Sequence, residues 1–267
     1  MKQATWRNGL VTAVAATMLL AGQVNADSDS PGSSLPAKGK YAQLNKLPDW
    51  SGVWNNVSGY DYAVQREPDG SLTPGEPPNP APYNPEYAAK MAEQQRRADA
   101  AIAAGGAPPE RKGGGTCPWP GMPHLDFTPY GFEFLFTPGR VTMLWSAYSM
   151  SRRIYTDGRK FPAELNESFN GVSIGHWEGD TLVVHTKGLR DWTHEDVGML
   201  YSNAMEIDER WRLVAPNRMM LEITMTDPKV FTRPWISKRY YERKPDWDIG
   251  EYPCEEDRRA AEQHGPG

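Results

Sequence analysis

The chain predicts a mainly β protein, and three observations carry that expectation. Short runs of strand-forming residues follow one another after residue 117, and 205–213 alternates apolar and polar with a period of two. Pro138-Gly139, Glu178-Gly179-Asp180 and Pro216-Asn217 punctuate the strand-forming runs as tight turns. Only the stretch 85–104 has the caps and spacing of a long helix. Eight or nine strands joined mostly by short turns favour an antiparallel up-and-down barrel of lipocalin-like type, or a strongly curved sheet. Either limits exposed strand edges, and a two-sheet sandwich is the competitor.

At the start of the chain, Lys2 and Arg7 precede a small, largely apolar run, and Val24-Asn25-Ala26 offers a small-x-small cleavage site. That is the pattern of a cleavable signal peptide cut after Ala26, so a periplasmic or secreted protein is expected. The apolar run falls short of the ~20 residues that span a bilayer, so no membrane span is expected. Residues 27–46 read as a polar, disordered leader. An N-terminal extension, 47–116, opens with Leu47-Pro-Asp-Trp-Ser-Gly-Val-Trp54, a turn into a short strand. Asn84-Pro85-Glu86 then starts the helix: a cap, a proline at the first helical position and an acid in the first turn. Its apolar stripe of Tyr87, Met91, Ala98 and Ile102 is thin, which places it on a surface.

The β domain is expected over 117–254, followed by a polar tail, 255–267. Its strands are read at 132–136, 140–145, 149–155, on either side of Glu178-Gly179-Asp180, at 205–213, at 219–226 and within 230–241. Asp157-Gly158 reads as another hairpin turn. In an exported chain the two cysteines, Cys117 and Cys254, are expected to form a disulfide. The loop of about 137 residues it closes would contribute up to ~5 kcal/mol in the chain-entropy model.

Composition narrows function. A net charge of −5 lacks the basic footprint that nucleic acid or an anionic membrane surface requires. No phosphate loop, dinucleotide fingerprint or nucleophile elbow is present, so no cofactor is expected. With Trp 10, Tyr 12 and Phe 7, the chain is rich in rings that can fill a core or line a cavity.

The run between the cysteines resembles a family of secreted, mostly uncharacterised bacterial proteins. The likeness rests on Cys117-Pro118, Gly121-Met-Pro123, Arg153-Ile-Tyr-Thr-Asp-Gly-Arg159 and Gly171-Val-Ser-Ile-Gly-His-Trp-Glu-Gly-Asp-Thr-Leu-Val-Val184. Glu209-Arg210, Asp227-Pro228, Pro234-Trp235 and Glu251-Tyr-Pro-Cys-Glu255 complete it. The resemblance covers about half the chain and implies a periplasmic β domain, with no activity to carry over. Where the family often has His-Ser, this chain has Tyr201-Ser202.

Several residues are candidates for chemistry. On the first strand of the 171–187 hairpin, Val172, Ile174 and His176 share a face, so His176 is expected to project into the barrel, where it could transfer protons. A structural histidine bonded to a neighbouring strand is the alternative. Glu209 lies on an apolar face between Ile207 and Trp211, where a lone charge is not tolerated. Of Arg152 and Arg153, one must face inward and pair, most simply with Glu133, Glu178 or Glu209. Such a pair is either architectural or an anchor for developing negative charge, the role assigned to Arg153. His124 and Asp126 on one strand face could pair so that the carboxylate orients the imidazole as a general base; a hydrogen-bonded surface histidine near a loop is the alternative. His176, His185, His194 and Glu195 lack metal-ligand spacing, and no metal site is expected. The catalytic set is therefore His176, Glu209, Tyr201 and Arg153, with Trp145, Tyr155 and Trp211 against substrate. The expected function is a cofactor-independent lyase, isomerase or cyclase acting on a small apolar or aromatic molecule. The alternatives are a non-catalytic small-molecule-binding protein and a structural envelope module.

Overall fold

In the computed structural model, nine strands form one sheet that closes on itself. The strands are β1 Val53–Asn56, β2 Phe132–Thr137, β3 Arg140–Trp145, β4 Ser151–Tyr155, β5 Val172–Glu178, β6 Thr181–Lys187, β7 Glu206–Ala215, β8 Arg218–Thr226 and β9 Trp235–Lys244. Each strand pairs with its neighbour in sequence, and β9 pairs with β1 to complete the ring. The structure describes residues 40–58, 79–105, 121–192 and 198–250. The expected signal peptide, most of the leader, Cys117, Cys254, His194, Glu195 and the tail lie outside the described residues.

Local chemistry explains the hairpins. Two-residue turns at Pro138-Gly139, Gly179-Asp180 and Pro216-Asn217 join β2 to β3, β5 to β6 and β7 to β8. Gly139 and Gly179 take φ of 75° and 58°, which a residue with a Cβ resists. One connection departs from the expected meander. At Asp157-Gly158 the chain does turn, with the Asp157 side chain accepting from the Arg159 amide (3.2 Å). It does not double back, however, because residues 156–171 form a crossover and β5 returns parallel to β4. A crossover of a dozen or more residues is what parallel pairing demands. The sheet is therefore mixed rather than purely antiparallel.

The helix α1, Pro85–Ala103, begins as its sequence predicts: the Asn84 side chain accepts from the Tyr87 amide (3.1 Å). It buries little, as its thin stripe implies, and Ile102 is exposed. Its first turn is tied to the barrel through Asn84, which donates to the Lys229 carbonyl (2.9 Å). No helix among the described residues is long and apolar enough to cross a membrane.

The core lies inside the ring. Trp54, Trp145, Trp211 and Trp235 are fully buried, with Phe132, Phe134, Met143, Leu182, Val184, Ile207 and Ile223 around them. Rings from different strands meet there: Phe132 lies 5.9 Å from Trp211 and 5.2 Å from Tyr241, and Trp211 lies 5.3 Å from Tyr241. A short 3-10 turn, His124–Phe127, packs into this interior with Leu125, Asp126 and Phe127 all buried.

Candidate functional site

A buried polar cluster sits among these rings. Along β4, Ser151 and Arg153 are exposed while Arg152 and Ile154 are buried. Along β7, Ile207, Glu209 and Trp211 face inward. Arg152 and Glu209 are three strands apart in the ring, and the long guanidinium side chain spans the gap along the inner wall. On the way, its Nε donates to Ser173 Oγ on β5 (3.0 Å) and its Nη2 to Thr186 Oγ1 on β6 (2.9 Å). Its Nη1 donates to Glu209 Oε1 (2.8 Å), and its Nη2 also donates to Glu209 Oε2. Ser173 and Thr186 are cross-strand partners whose hydroxyls bond each other at 2.9 Å. Trp211 Nε1–H donates to Glu209 Oε1 (3.1 Å). Arg152 is 1% exposed and Glu209 0%. Burial opposes the charge on Arg152, but the neighbouring Glu209 outweighs it and holds the guanidinium more firmly protonated than usual.

A second carboxyl joins this cluster from the 3-10 turn. Asp126 is 0% exposed, and neither carboxyl oxygen accepts a hydrogen bond. Burial, and then the charge of Glu209 within hydrogen-bonding reach, push its carboxyl well above the usual range, against the pull of Arg152. The two facts agree: a carboxyl taken out of water, with no donor to it and a second carboxyl beside it, resists ionising. The Tyr241 hydroxyl donates to the Asp126 carbonyl (2.7 Å), and burial with the Asp126 charge raises that phenol well above its ordinary value. The other buried guanidinium, Arg239, lies over the Phe127 ring and works the opposite way on Tyr241.

Of the residues singled out in sequence, Glu209, Trp145 and Trp211 are in the interior. Four others are placed differently. His176 is on the outer surface, its side chain 64% exposed, with Nε2 3.1 Å from Glu178 Oε1. The inward face of β5 instead carries Ser173 and Gly175, both buried, and Trp177, half-buried against Trp50 and Phe136. A small residue is required at Gly175: a Cβ there would stand 2.8 Å from the Val183 carbonyl and 2.9 Å from Ile154 Cγ2. Arg153 is exposed, because Arg152 shares the inward face with Ile154. Tyr201 is buried, but its hydroxyl donates to the Met122 carbonyl (3.0 Å) and its ring stacks on Trp192. It packs against the 3-10 turn through His124 rather than against Glu209 or Arg152. Tyr155 sits at the end of β4 with the Arg159 guanidinium 3.8 Å over its ring.

His124 and Asp126 do not form a pair, since they lie on a 3-10 turn rather than a strand. His124 packs on Trp192 and Tyr201 while Asp126 points to Glu209. His185 lies on the outer side of β6, between Asp208 (2.6 Å) and Glu206 (3.2 Å). Among the described residues no three metal-ligating side chains converge. The role of Asp126 at this cluster is not legible in sequence, where its spacing from His124 points to a different partner. No protein-family model and no curated protein matches the chain.

Proposed function

We propose that the protein works outside the cytoplasm, after export, and that its barrel interior acts on a small apolar or aromatic molecule by acid–base chemistry without a redox cofactor. A lyase, isomerase or cyclase fits that description. The supporting observation is the Arg152–Glu209–Asp126 cluster: a carboxylate fixed by a guanidinium, beside a carboxylic acid, in a dry setting walled by Trp211, Phe132 and Tyr241. A buried carboxyl held above its ordinary range beside an ion pair is the raw material of acid and base catalysis. His176, Arg153 and Tyr201 have no part in this version of the site. Oxidation of Cys117 and Cys254 to a disulfide belongs to the same reading, and a change of gel mobility on reduction checks it.

A second reading has its own observation. The rings of Phe132, Trp211 and Tyr241 touch across the interior, which favours a filled barrel in which the ion pair is architectural. Intrinsic Trp fluorescence, titrated with terpenoid, steroid and phenolic compounds, separates the two. A flat response across the panel removes the small-molecule function and leaves the structural module. Binding without turnover leaves a carrier. Binding with turnover, abolished in Glu209→Gln while binding persists, supports the enzyme.

A further inference from the structure

Resting on the reading that the chain is exported, we infer that Asn166 is a glycosylation site, whose side-chain amide takes an oligosaccharide from a lipid-linked oligosaccharyl diphosphate. The acceptor pattern for such a transfer is asparagine, any residue but proline, then serine or threonine. It occurs twice in the chain, at Asn56-Val57-Ser58 and at Asn166-Glu167-Ser168. The folded arrangement tells the two apart. Asn56 is half-buried at the end of β1, where its Nδ2 donates to the Thr128 carbonyl (3.3 Å) and its Oδ1 accepts from the Ser58 amide (2.8 Å). Ser58 is 1% exposed, and its Oγ accepts from the Tyr240 amide (2.7 Å). A glycan on Asn56 would have to break these bonds and open the seam between β1 and β9.

Asn166 belongs to the crossover between β4 and β5, which meets the outer side of β6 where the Phe161 ring lies 5.5 Å from His185. Its neighbours fasten this segment to the barrel and leave Asn166 itself exposed. Leu165 sits over Gly188, where a Cβ would come within 3.3 Å of it. Ser168 is held through its backbone, its N–H donating to the Gly188 carbonyl (3.0 Å) and its carbonyl accepting from the Arg190 N–H (2.9 Å). Glu167 Oε1 accepts from Asn203 Nδ2 (2.7 Å). No such bond engages the Asn166 side chain among the described residues. Glu164, Asn166 and Ser168 are all exposed, so an acid, the acceptor amide and a hydroxyl stand at alternate positions for a transferase to read. In the transfer, Asn166 Nδ2 forms a bond to the anomeric carbon of the oligosaccharide. The bond from that carbon to the diphosphate oxygen breaks, and its electron pair leaves with the lipid diphosphate. Nδ2 gives up one proton to a base of the transferase, and nothing is oxidised or reduced.

The test uses the protein recovered from the cells that make it, with its N-terminus, its intact mass and its asparagine-bearing peptides read by mass spectrometry. The expected result is a chain that begins at Asp27, carries the mass of one oligosaccharide on the peptide holding Asn166, and leaves Asn56 bare. Asn166→Gln and Ser168→Ala should each abolish the added mass while the chain still loses its first 26 residues. A chain beginning at Asp27 with a bare Asn166 overturns the glycosylation site and leaves export standing. A chain that keeps Met1 and carries no glycan overturns export and the site together. An oligosaccharide on Asn56, or one that persists in Asn166→Gln, overturns the assignment to Asn166. Should either variant fail to accumulate, the Asn166 peptide of the wild type decides alone: its added mass supports the site, and its absence overturns it.

Discussion

Replacing Glu209 with Gln should be among the costliest single changes that preserve shape. Glutamine keeps an oxygen for the Trp211 N–H, so what is lost is the charge opposite Arg152. That guanidinium is 1% exposed and retains only neutral acceptors, the shared glutamine oxygen and the hydroxyls of Ser173 and Thr186. Breaking a buried pair by removing one partner costs about 3–5 kcal/mol. For a domain of roughly this size 1 kcal/mol moves the melting temperature about 2–4 °C, so a fall of about 6–20 °C is expected. The cost should also depend on pH. With Glu209 neutral, Asp126 loses the charge that helps keep its proton on. As pH rises above the ordinary carboxylate range it can ionise and stand in as counter-ion for Arg152, so the deficit should shrink with rising pH. Adding Arg152→Met should recover most of the loss, because a buried pair replaced as a unit is often neutral, and Ser173 and Thr186 still bond each other. Urea unfolding followed by Trp fluorescence measures each value. A loss below about 1 kcal/mol for Glu209→Gln at about pH 5, on the scale of exposed pairs, would refute the buried-pair account.

Three further outcomes are expected. Asp126 has a raised carboxyl in the folded chain, so its contribution is present below the ordinary carboxylate range and is lost as pH climbs from there toward the folded value. Within that window the wild type should lose up to about 1.4 kcal/mol per pH unit relative to Asp126→Asn, measured by denaturation across pH. The lowered carboxyls of Asp49, Asp157, Glu178 and Glu242 act with the opposite sign, at lower pH, and are common to both proteins. Gly175→Val should destabilise the barrel by about 1–3 kcal/mol, because the Val183 carbonyl cannot move out of the way of a Cβ; an unchanged urea midpoint would contradict the β5 packing. His176→Ala should leave the melting temperature and any ligand response unchanged, since its ring faces solvent; a loss of ligand response would return His176 to the site.

The features legible in the chain and those that are not divide along a physical line. Turns at Pro138-Gly139, Gly179-Asp180 and Pro216-Asn217 are legible because a tight turn is decided by the few residues that make it. The helix start at Asn84 is legible for the same reason. Asp157-Gly158 is also a true local turn, but whether the next strand doubles back or crosses over depends on the segment from Arg159 to Gly171, and nothing within the dipeptide says so.

Strand parity on β5 misleads for a different cause. The usual rule sends Val172, Ile174 and their neighbours inward, yet beside Arg152 and Ile154 of the adjacent strand there is room only for Ser173 and Gly175, and a large side chain returns to that face only at Trp177, against Trp50 and Phe136. Apolarity marks the core face only where the partner strand leaves space for a large side chain. Glu209 escapes that ambiguity because β7 alternates without exception from Ile207 to Trp211, and a charge on such a face implies a partner even before the partner is known. Arg152 is open to the same logic, two residues before Ile154. Asp126 is not. Its significance comes from a carboxylate 83 positions away, reached by a turn whose inward direction no periodicity encodes, so only the folded arrangement distinguishes it from an ordinary loop acid.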